Sequence, residues 1–389
     1  MTRVTLPQVR PSWKERLKYF ETRLDGLVES IRELVEIESP SDSKPAIDEI
    51  AAFLGERFRT LGGQAQILTA KIFGNNLQVD FPGRENRKPV LLLGHYDTVY
   101  PLGTLAAMPY RLADGRMYGP GVLDMKSGIA LMMAAIAALQ EWHGKLPRPV
   151  TVFLVSDEEV GSYSSRAITE TLAQKSAGVL VLEPAASHAA VKTARKGVGE
   201  YRLRVEGVAS HAGLEPGQGH SAIVELARQI QTIWKFNDLK SGMSVNPGVI
   251  RGGTRTNVVA AEAVVEIDAR IQKATQAKML DRKFRSLKPF DKRCKITLVG
   301  GINRMPMERS DGVVALYHKA KSIAAEIGWK LGEAAVGGGS DGNFTAALGI
   351  PTLDGMGGVG QGAHAIHEHI VLSELPRRAL LLAGMIESA

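Results

Sequence analysis

Cysteine is almost missing from this chain of 389 residues, with Cys294 the single instance. One thiol cannot close an intrachain disulfide, which excludes a disulfide-stapled secreted scaffold and makes the cytoplasm the expected compartment. Long apolar runs are missing as well. No unbroken apolar stretch reaches the roughly 18–20 residues of a membrane span. The opening MTRVTLPQVRPSWKERLKYF lacks the basic-then-apolar layout of a secretory leader, so the expectation is a soluble chain with no membrane partner. Basic tracts are also absent. The net charge of +7 comes from Lys and Arg scattered among acids, apart from DRKFRSLKPFDKRCK over 281–295, which reads as a solvated helix face and loop. No nucleic-acid partner is expected, although a mildly positive field still draws in small anions. Neither an internal repeat nor a low-complexity segment is visible. With no Gly-x-Ser-x-Gly turn, and Cys294 far from every motif described below, nucleophilic serine or cysteine chemistry is disfavoured.

What is present begins with size and pattern. A chain of 389 residues is longer than one core usually supports, so two domains are expected. From Trp13 to Ile37, apolar residues recur every three or four positions, which predicts an amphipathic helix. A second helix covers Lys44 to Leu61 and stops at Gly62-Gly63. Short apolar runs (KPVLLLGH, RPVTVFLVSDEE, GVLVLEP) then alternate with helical segments near Lys126 to Trp142 and Ser164 to Lys175. That order predicts an α/β domain around a mostly parallel central sheet covered on both faces. After about residue 190, alternating strands and two helices predict an inserted α+β domain with an antiparallel sheet. From Asp311 a helix-strand rhythm returns and ends in a long apolar helix. The expected division is 1–190 and 305–389 for a catalytic domain and 191–304 for the insertion.

The chemistry lies in acids and histidines at strand ends. His95 and Asp97 project on one side where LLLGHYD leaves the sheet, because side chains alternate along a strand. Asp124, the run Asp157-Glu158-Glu159, and Glu183 end other α/β connections, and GQGAHAIHEH supplies His364, His367 and His369. Taken singly, a strand-terminal Asp is more often a helix cap and a lone His more often structural. Taken together, carboxylates aimed at one rim repel one another and lose hydration at a cost of several kcal/mol unless a cation compensates. Lys126 is the only basic companion, so a metal is the better candidate. Mixed imidazole and carboxylate donors suit zinc, and the supply of donors suits two ions sharing a bridging carboxylate.

These residues carry a resemblance. GHYDTV, GPGVLDMKSG, SDEEVGS, LEP and GGGSDGNF followed by GAHAIHEH resemble, in order and over nearly the whole chain, the motifs of the zinc-dependent aminoacylase and carboxypeptidase family. These M20-type metallopeptidases include glutamate carboxypeptidase of the carboxypeptidase G type, succinyl-diaminopimelate desuccinylase and acetylornithine deacetylase. The resemblance implies a catalytic domain holding two zinc ions and a smaller inserted lid domain that commonly forms a homodimer contact. It makes His95 and Glu183 ligands of one zinc, Glu159 and His364 ligands of the other, Asp124 the bridge and Glu158 the general base. Asp97 would accept the other N–H of His95 and fix its tautomer. The Asp124–Met125 peptide is expected to be cis, with Met125 standing where the family often has an acid. Among the C-terminal histidines the family pattern selects His364, with Glu368 as the acid that follows it.

In the insertion, the resemblance gives His211 of ASHAG a role at the neighbouring chain's active site, polarising the scissile carbonyl. Asn257 and Arg270 become substrate-binding residues. The planar fork of Arg270 suits a free carboxylate, while Gly338 and Gly339 would let the backbone approach the substrate. The implied reaction is hydrolysis of an amide by a metal-activated water, on a small-molecule or peptide substrate with a free carboxylate. Release of a C-terminal residue, with glutamate the candidate, or deacylation of an N-acyl amino acid is favoured. A biosynthetic deacylase is the alternative, and a non-catalytic binding protein that kept the fold is the alternative of another class.

Overall fold

The computed structural model describes residues 11–388. The chain forms two compact units: one runs to Thr193 and resumes over Arg309–Ala335 and from Ser340 onward, and the other comprises Ala194–Glu308 and Val336–Gly339.

The first unit is built on a six-stranded mixed sheet. Its order is Gln64–Leu68, Asn76–Phe81, Val150–Val155, Val90–His95, Gly178–Val181 and Thr352–Leu353. The last four strands are parallel, and the first two form an antiparallel edge. The two central strands, Val90–His95 and Val150–Val155, are buried at every position. Alternate residues enter different cores. Val90, Leu92, Val150 and Val152 join the large cluster that includes the helices Ser127–His143 and Leu375–Ser388. Leu91, Leu93, Phe153 and Val155 join a smaller one with Ala173 and Val179. Burial on both faces explains why these strands read as unbroken apolar runs. One helical stretch, Val122–His143, is long and apolar enough to cross a membrane by length and composition, and most of it is buried inside the structure.

Two features of this unit differ from expectation. The predicted helix from Trp13 to Ile37 is two helices, Trp13–Glu21 and Leu24–Val35. The chain turns between them at Thr22–Arg23, where the Thr22 hydroxyl donates to the carbonyls of Lys18 and Tyr19. A small four-stranded sheet of two- and three-residue strands (Arg111–Ala113, Arg116–Tyr118, Gly360–Gln361, His369–Val371) also went unpredicted.

The second unit carries an antiparallel sheet in the order Ser244–Gly252, Glu262–Ile271, Gly197–Glu206, Lys295–Arg304. Tyr201, Leu203 and Val205 point to one side of it and pack with Leu226 and Ile233 of the helix Ala222–Trp234 and with Leu280 and Phe284 of Ala274–Arg285. Val336–Gly339 belongs here rather than with the closing segment of the other unit. Lys196 N–H donates to the Val336 carbonyl at 3.0 Å, and the Arg195 guanidinium donates to the carbonyls of Gly338 and Gly339 at 3.2 and 3.1 Å.

Candidate metal centre

The parallel strands deliver the acidic cluster to one rim, as ligand sites in open α/β sheets require. His95 ends its strand buried, and its Nε2 faces Asp124 Oδ1 at 3.2 Å and Glu183 Oε1 at 3.4 Å. His364 Nε2 faces the other oxygen of the same aspartate, Asp124 Oδ2, at 3.4 Å and Glu159 Oε1 at 3.1 Å. Asp124 therefore stands between two imidazoles, each with a second carboxylate beside it. Glu158 joins the first side, since ligand atoms of His95, Glu158 and Glu183 lie within 4.8 Å of one another, as do those of His95, Asp124 and Glu159.

The electrostatics show what the cluster lacks. Burial alone would depress the His95 imidazole, yet the carboxylates of Asp124, Asp97 and Glu183 overcome it and hold the ring well above its usual range. Hydrogen bonds donated to the carboxylates of Asp124 and Glu159 push His364 up to about 10. Burial opposes ionisation of Asp124, but His364 and His95 force its carboxyl well below the ordinary range. Burial raises Glu159. Without a cation the two imidazoles must supply the positive charge themselves, and this is the condition a divalent ion relieves. Nitrogen and carboxylate donors in this number fit a pair of such ions.

The local structure explains each position. The peptide Asp124–Met125 is cis, and Asp124 lies in an irregular turn, Val122–Lys126, just before a long helix. Buried Glu368 anchors that turn. Its carboxylate accepts N–H groups from Leu123 at 2.7 Å, Asp124 at 3.0 Å and Gly121 at 3.2 Å, and the hydroxyl of Tyr100 at 2.6 Å. Met125 is buried and its sulfur accepts the His95 N–H at 3.3 Å. A Cβ at Gly94 would stand 2.4 Å from the Met125 methyl, so a larger residue there would displace the end of the Met125 side chain. His364 itself sits at φ 64, a left-handed conformation rare outside glycine that collects at functional sites.

Asp97 meets His95 through both its backbone carbonyl and its carboxylate. Nδ1 of His95 lies 3.0 Å from the Asp97 backbone carbonyl and 3.4 Å from its carboxylate. The carboxylate also accepts the backbone N–H groups of Glu158 and Glu159 at 3.2 and 3.1 Å and the Ser41 hydroxyl at 2.7 Å. The carbonyl and carboxylate of Asp97 together face His95 Nδ1, and the Asp97 side chain also holds the turn that presents the two glutamates. Asp157 is no ligand: it accepts the Ser164 N–H and the hydroxyls of Ser164 and Ser165 at the start of the next helix. Neither His367 nor His369 joins the cluster; His369 is buried and bonds through Nδ1 to the His367 carbonyl.

The remaining candidates all lie in the second unit. His211 is exposed, and its Nδ1 accepts the N–H groups of Gly213 and Leu214, both at 3.1 Å. A neutral ring held this way carries its proton on Nε2 and offers a donor to solvent. Asn257 is adjacent, its carbonyl accepting the Ala212 N–H at 2.9 Å. Arg270 is engaged: its fork is paired with both oxygens of Asp268, at 3.0 and 2.8 Å. Gly338 and Gly339 are held through their carbonyls by the buried Arg195, a residue the motifs did not flag.

Residues 91–388 match Peptidase family M20/M25/M40. The chain belongs to this family. Carboxypeptidase G2 of a Pseudomonas species is 28% identical over 370 residues, covering 93% of this chain and 88% of that enzyme. A succinyl-diaminopimelate desuccinylase of Verminephrobacter eiseniae is 30% identical over 309 residues, covering 74% and 75% of the two chains. The solved aminopeptidase PepT of Bacillus cereus superposes with a TM-score of 0.77 over 94% of this chain and 98% of its own, at 24% identity. This M20 chain is a metallopeptidase or amidohydrolase whose α/β unit and antiparallel unit correspond to the catalytic and lid domains.

Proposed function

We propose that the protein is a dinuclear zinc amide hydrolase that releases a C-terminal amino acid, with glutamate the first candidate, or deacylates an N-acyl amino acid. One observation carries this reading: the two oxygens of Asp124 face two different imidazoles, each flanked by a further carboxylate. His95 and Glu183 would hold one ion, Glu159 and His364 the other, and Asp124 both. Bound there, the ions supply Lewis acidity for a carbonyl and lower the pKa of water.

The chain's own residues do the rest. Glu158, on the turn pinned by Asp97, takes the proton of the attacking water and returns it to the leaving amine. His211, with its proton on the exposed Nε2, donates to the carbonyl oxygen as negative charge develops. Asn257, Arg270 and the Gly338–Gly339 backbone receive the substrate's carboxylate, and Arg270 exchanges its bond to Asp268 for that ligand. A homodimer is part of the reading: the edge strand Ser244–Gly252 is largely exposed and includes Val249 and Ile250, and an open, partly apolar edge invites a second copy. A cytoplasmic setting follows from the single cysteine. Similarity to a desuccinylase keeps a biosynthetic deacylase as the second reading.

Metal analysis and an assay on a panel of N-acyl amino acids and glutamate-terminated peptides test the proposal. Close to two zinc per chain and loss of activity with chelators are expected; full activity in metal-free protein would refute it. Glu158→Gln should abolish turnover with zinc content nearly intact. Parallel loss of zinc would show that Glu158 is a ligand.

A further inference from the structure

A cavity of about 790 Å³ opens within the first unit and takes no part in the chemistry above. Its walls include Arg116, His188, Gln361, His369, Glu374 and Arg377, and no residue of the metal cluster. The volume suits a metabolite-sized ligand rather than a lone ion. Its charge is lopsided. Glu374 is the one carboxylate among the lining residues and already pairs with Arg377, whose guanidinium also lies 4.7 Å from the Trp329 ring centroid. Among the described residues, Arg116 and His188 have no ion-pair partner, although both line the same space. The bond from His369 to the His367 carbonyl uses the proton on Nδ1 and leaves Nε2 of a neutral ring an acceptor, so His369 lines the cavity without donating to an anion.

We propose that this cavity binds a small organic anion, a carboxylate or phosphate ester, through Arg116 and His188. Arg116 supplies the fork that matches such oxygens, and His188 adds an imidazole from the short turn Ser187–Ala189. The anion is either a free small molecule or the far end of a bound substrate, since both present the same oxygens. Cavity and metal cluster share two segments of chain. Gly357 N–H donates to the Glu183 carbonyl and Ala185 N–H to that of Gly358, both at 2.8 Å, so the loops enclosing the cavity also seat a metal ligand.

Phenylphosphonate titrated calorimetrically into the full-length zinc-loaded Glu158→Gln protein is the test, with benzyl alcohol as the uncharged control. Phosphonate held by the zinc ions is unaffected by changes at Arg116, so the cavity is read from a saturable component that Arg116→Ala weakens and that benzyl alcohol does not show. Arg116→Ala should weaken it by about tenfold or more, as loss of a charge-assisted hydrogen bond implies, and Arg116→Lys by less. Arg116 is exposed, so folding is not at stake; circular dichroism of each variant checks this, and His188→Ala gives an independent reading. Equal affinity in wild type, Arg116→Ala and His188→Ala, or no saturable binding at all, overturns the proposal. Repeating the titration with saturating N-acetylglutamate separates the two sources: loss of the Arg116-dependent component assigns the cavity to the substrate's far end, and its persistence assigns it to a separate ligand. Neither result depends on turnover, so failure here leaves the amide-hydrolase reading standing.

Discussion

Glu368 shows how a residue outside the metal cluster sets its geometry. Three backbone N–H groups and a tyrosine hydroxyl converge on its carboxylate, and one of those groups belongs to Asp124 itself. An amide in its place would turn one acceptor oxygen into a donor facing other donors, and the buried turn has no room to relax. Glu368→Gln should therefore lower zinc affinity by about 10- to 100-fold, the usual effect of removing a partner that orients a ligand. A competition titration with a chromophoric chelator reads this directly, and wild-type affinity in the variant would contradict the assignment. The ligand candidates were legible because each sits at the end of an apolar run or in a distinctive motif. Asp97 and Glu368 were legible too, but the groups they hold were not. Ser41 meets Asp97 across 56 residues of sequence and Glu368 meets Leu123 across 245, and no local pattern encodes such meetings.

At the level of elements, burial decides what a sequence reveals. The strands Val90–His95 and Val150–Val155 are buried on both faces and announce themselves as apolar runs; the lid strand Gly197–Glu206 has one covered face and alternates. The break at Thr22–Arg23 is invisible because Phe20, Leu24 and Leu27 keep helical spacing across it. Strands of two or three residues are too short to show a period, and the grouping of Val336–Gly339 with the second unit rests on contacts to Arg195 and Lys196 rather than on composition. In that unit, Asp291 links the segment before the last strand to the strand and helix around His220. Its carboxylate accepts the Arg293 N–H at 3.0 Å and meets His220 Nδ1 at 2.7 Å, and these bonds hold it down to about 2. A carboxyl depressed in the folded state stabilises fully above its unfolded value, near 3.9, and loses that contribution as pH falls toward the folded one. Wild type should thus exceed Asp291→Asn in urea midpoint at about pH 5, by a margin that shrinks between about pH 4 and pH 2. A margin unchanged down to pH 2 would mean that the charge of Asp291 contributes nothing.

For the whole molecule, the two units divide the proposed chemistry. The metal donors and Glu158 belong to one, and His211, Asn257, Arg270 and the Gly338–Gly339 backbone belong to the other. Hydrolysis under the proposed mechanism requires both units on one substrate, so closure is expected to precede chemistry. In the proposed homodimer His211 serves the partner's metal centre, which makes the active site a property of the pair. Removing one oxyanion donor typically costs on the order of a hundred- to a thousand-fold in rate, so His211→Ala should fall by about that factor with zinc content unchanged. Glu158→Gln should be dead for a different reason. When the two variant chains are mixed and allowed to exchange, a heterodimer joins a wild-type His211 from one chain to an intact Glu158 and metal set in the other. One competent site then forms per mixed pair, and activity should return toward half that of wild type per heterodimer. Differently tagged chains, purified as the mixed pair before assay, show that exchange took place. A mixed dimer that forms and stays inactive would place His211 within its own chain's chemistry or outside the reaction, and the shared active site would be wrong.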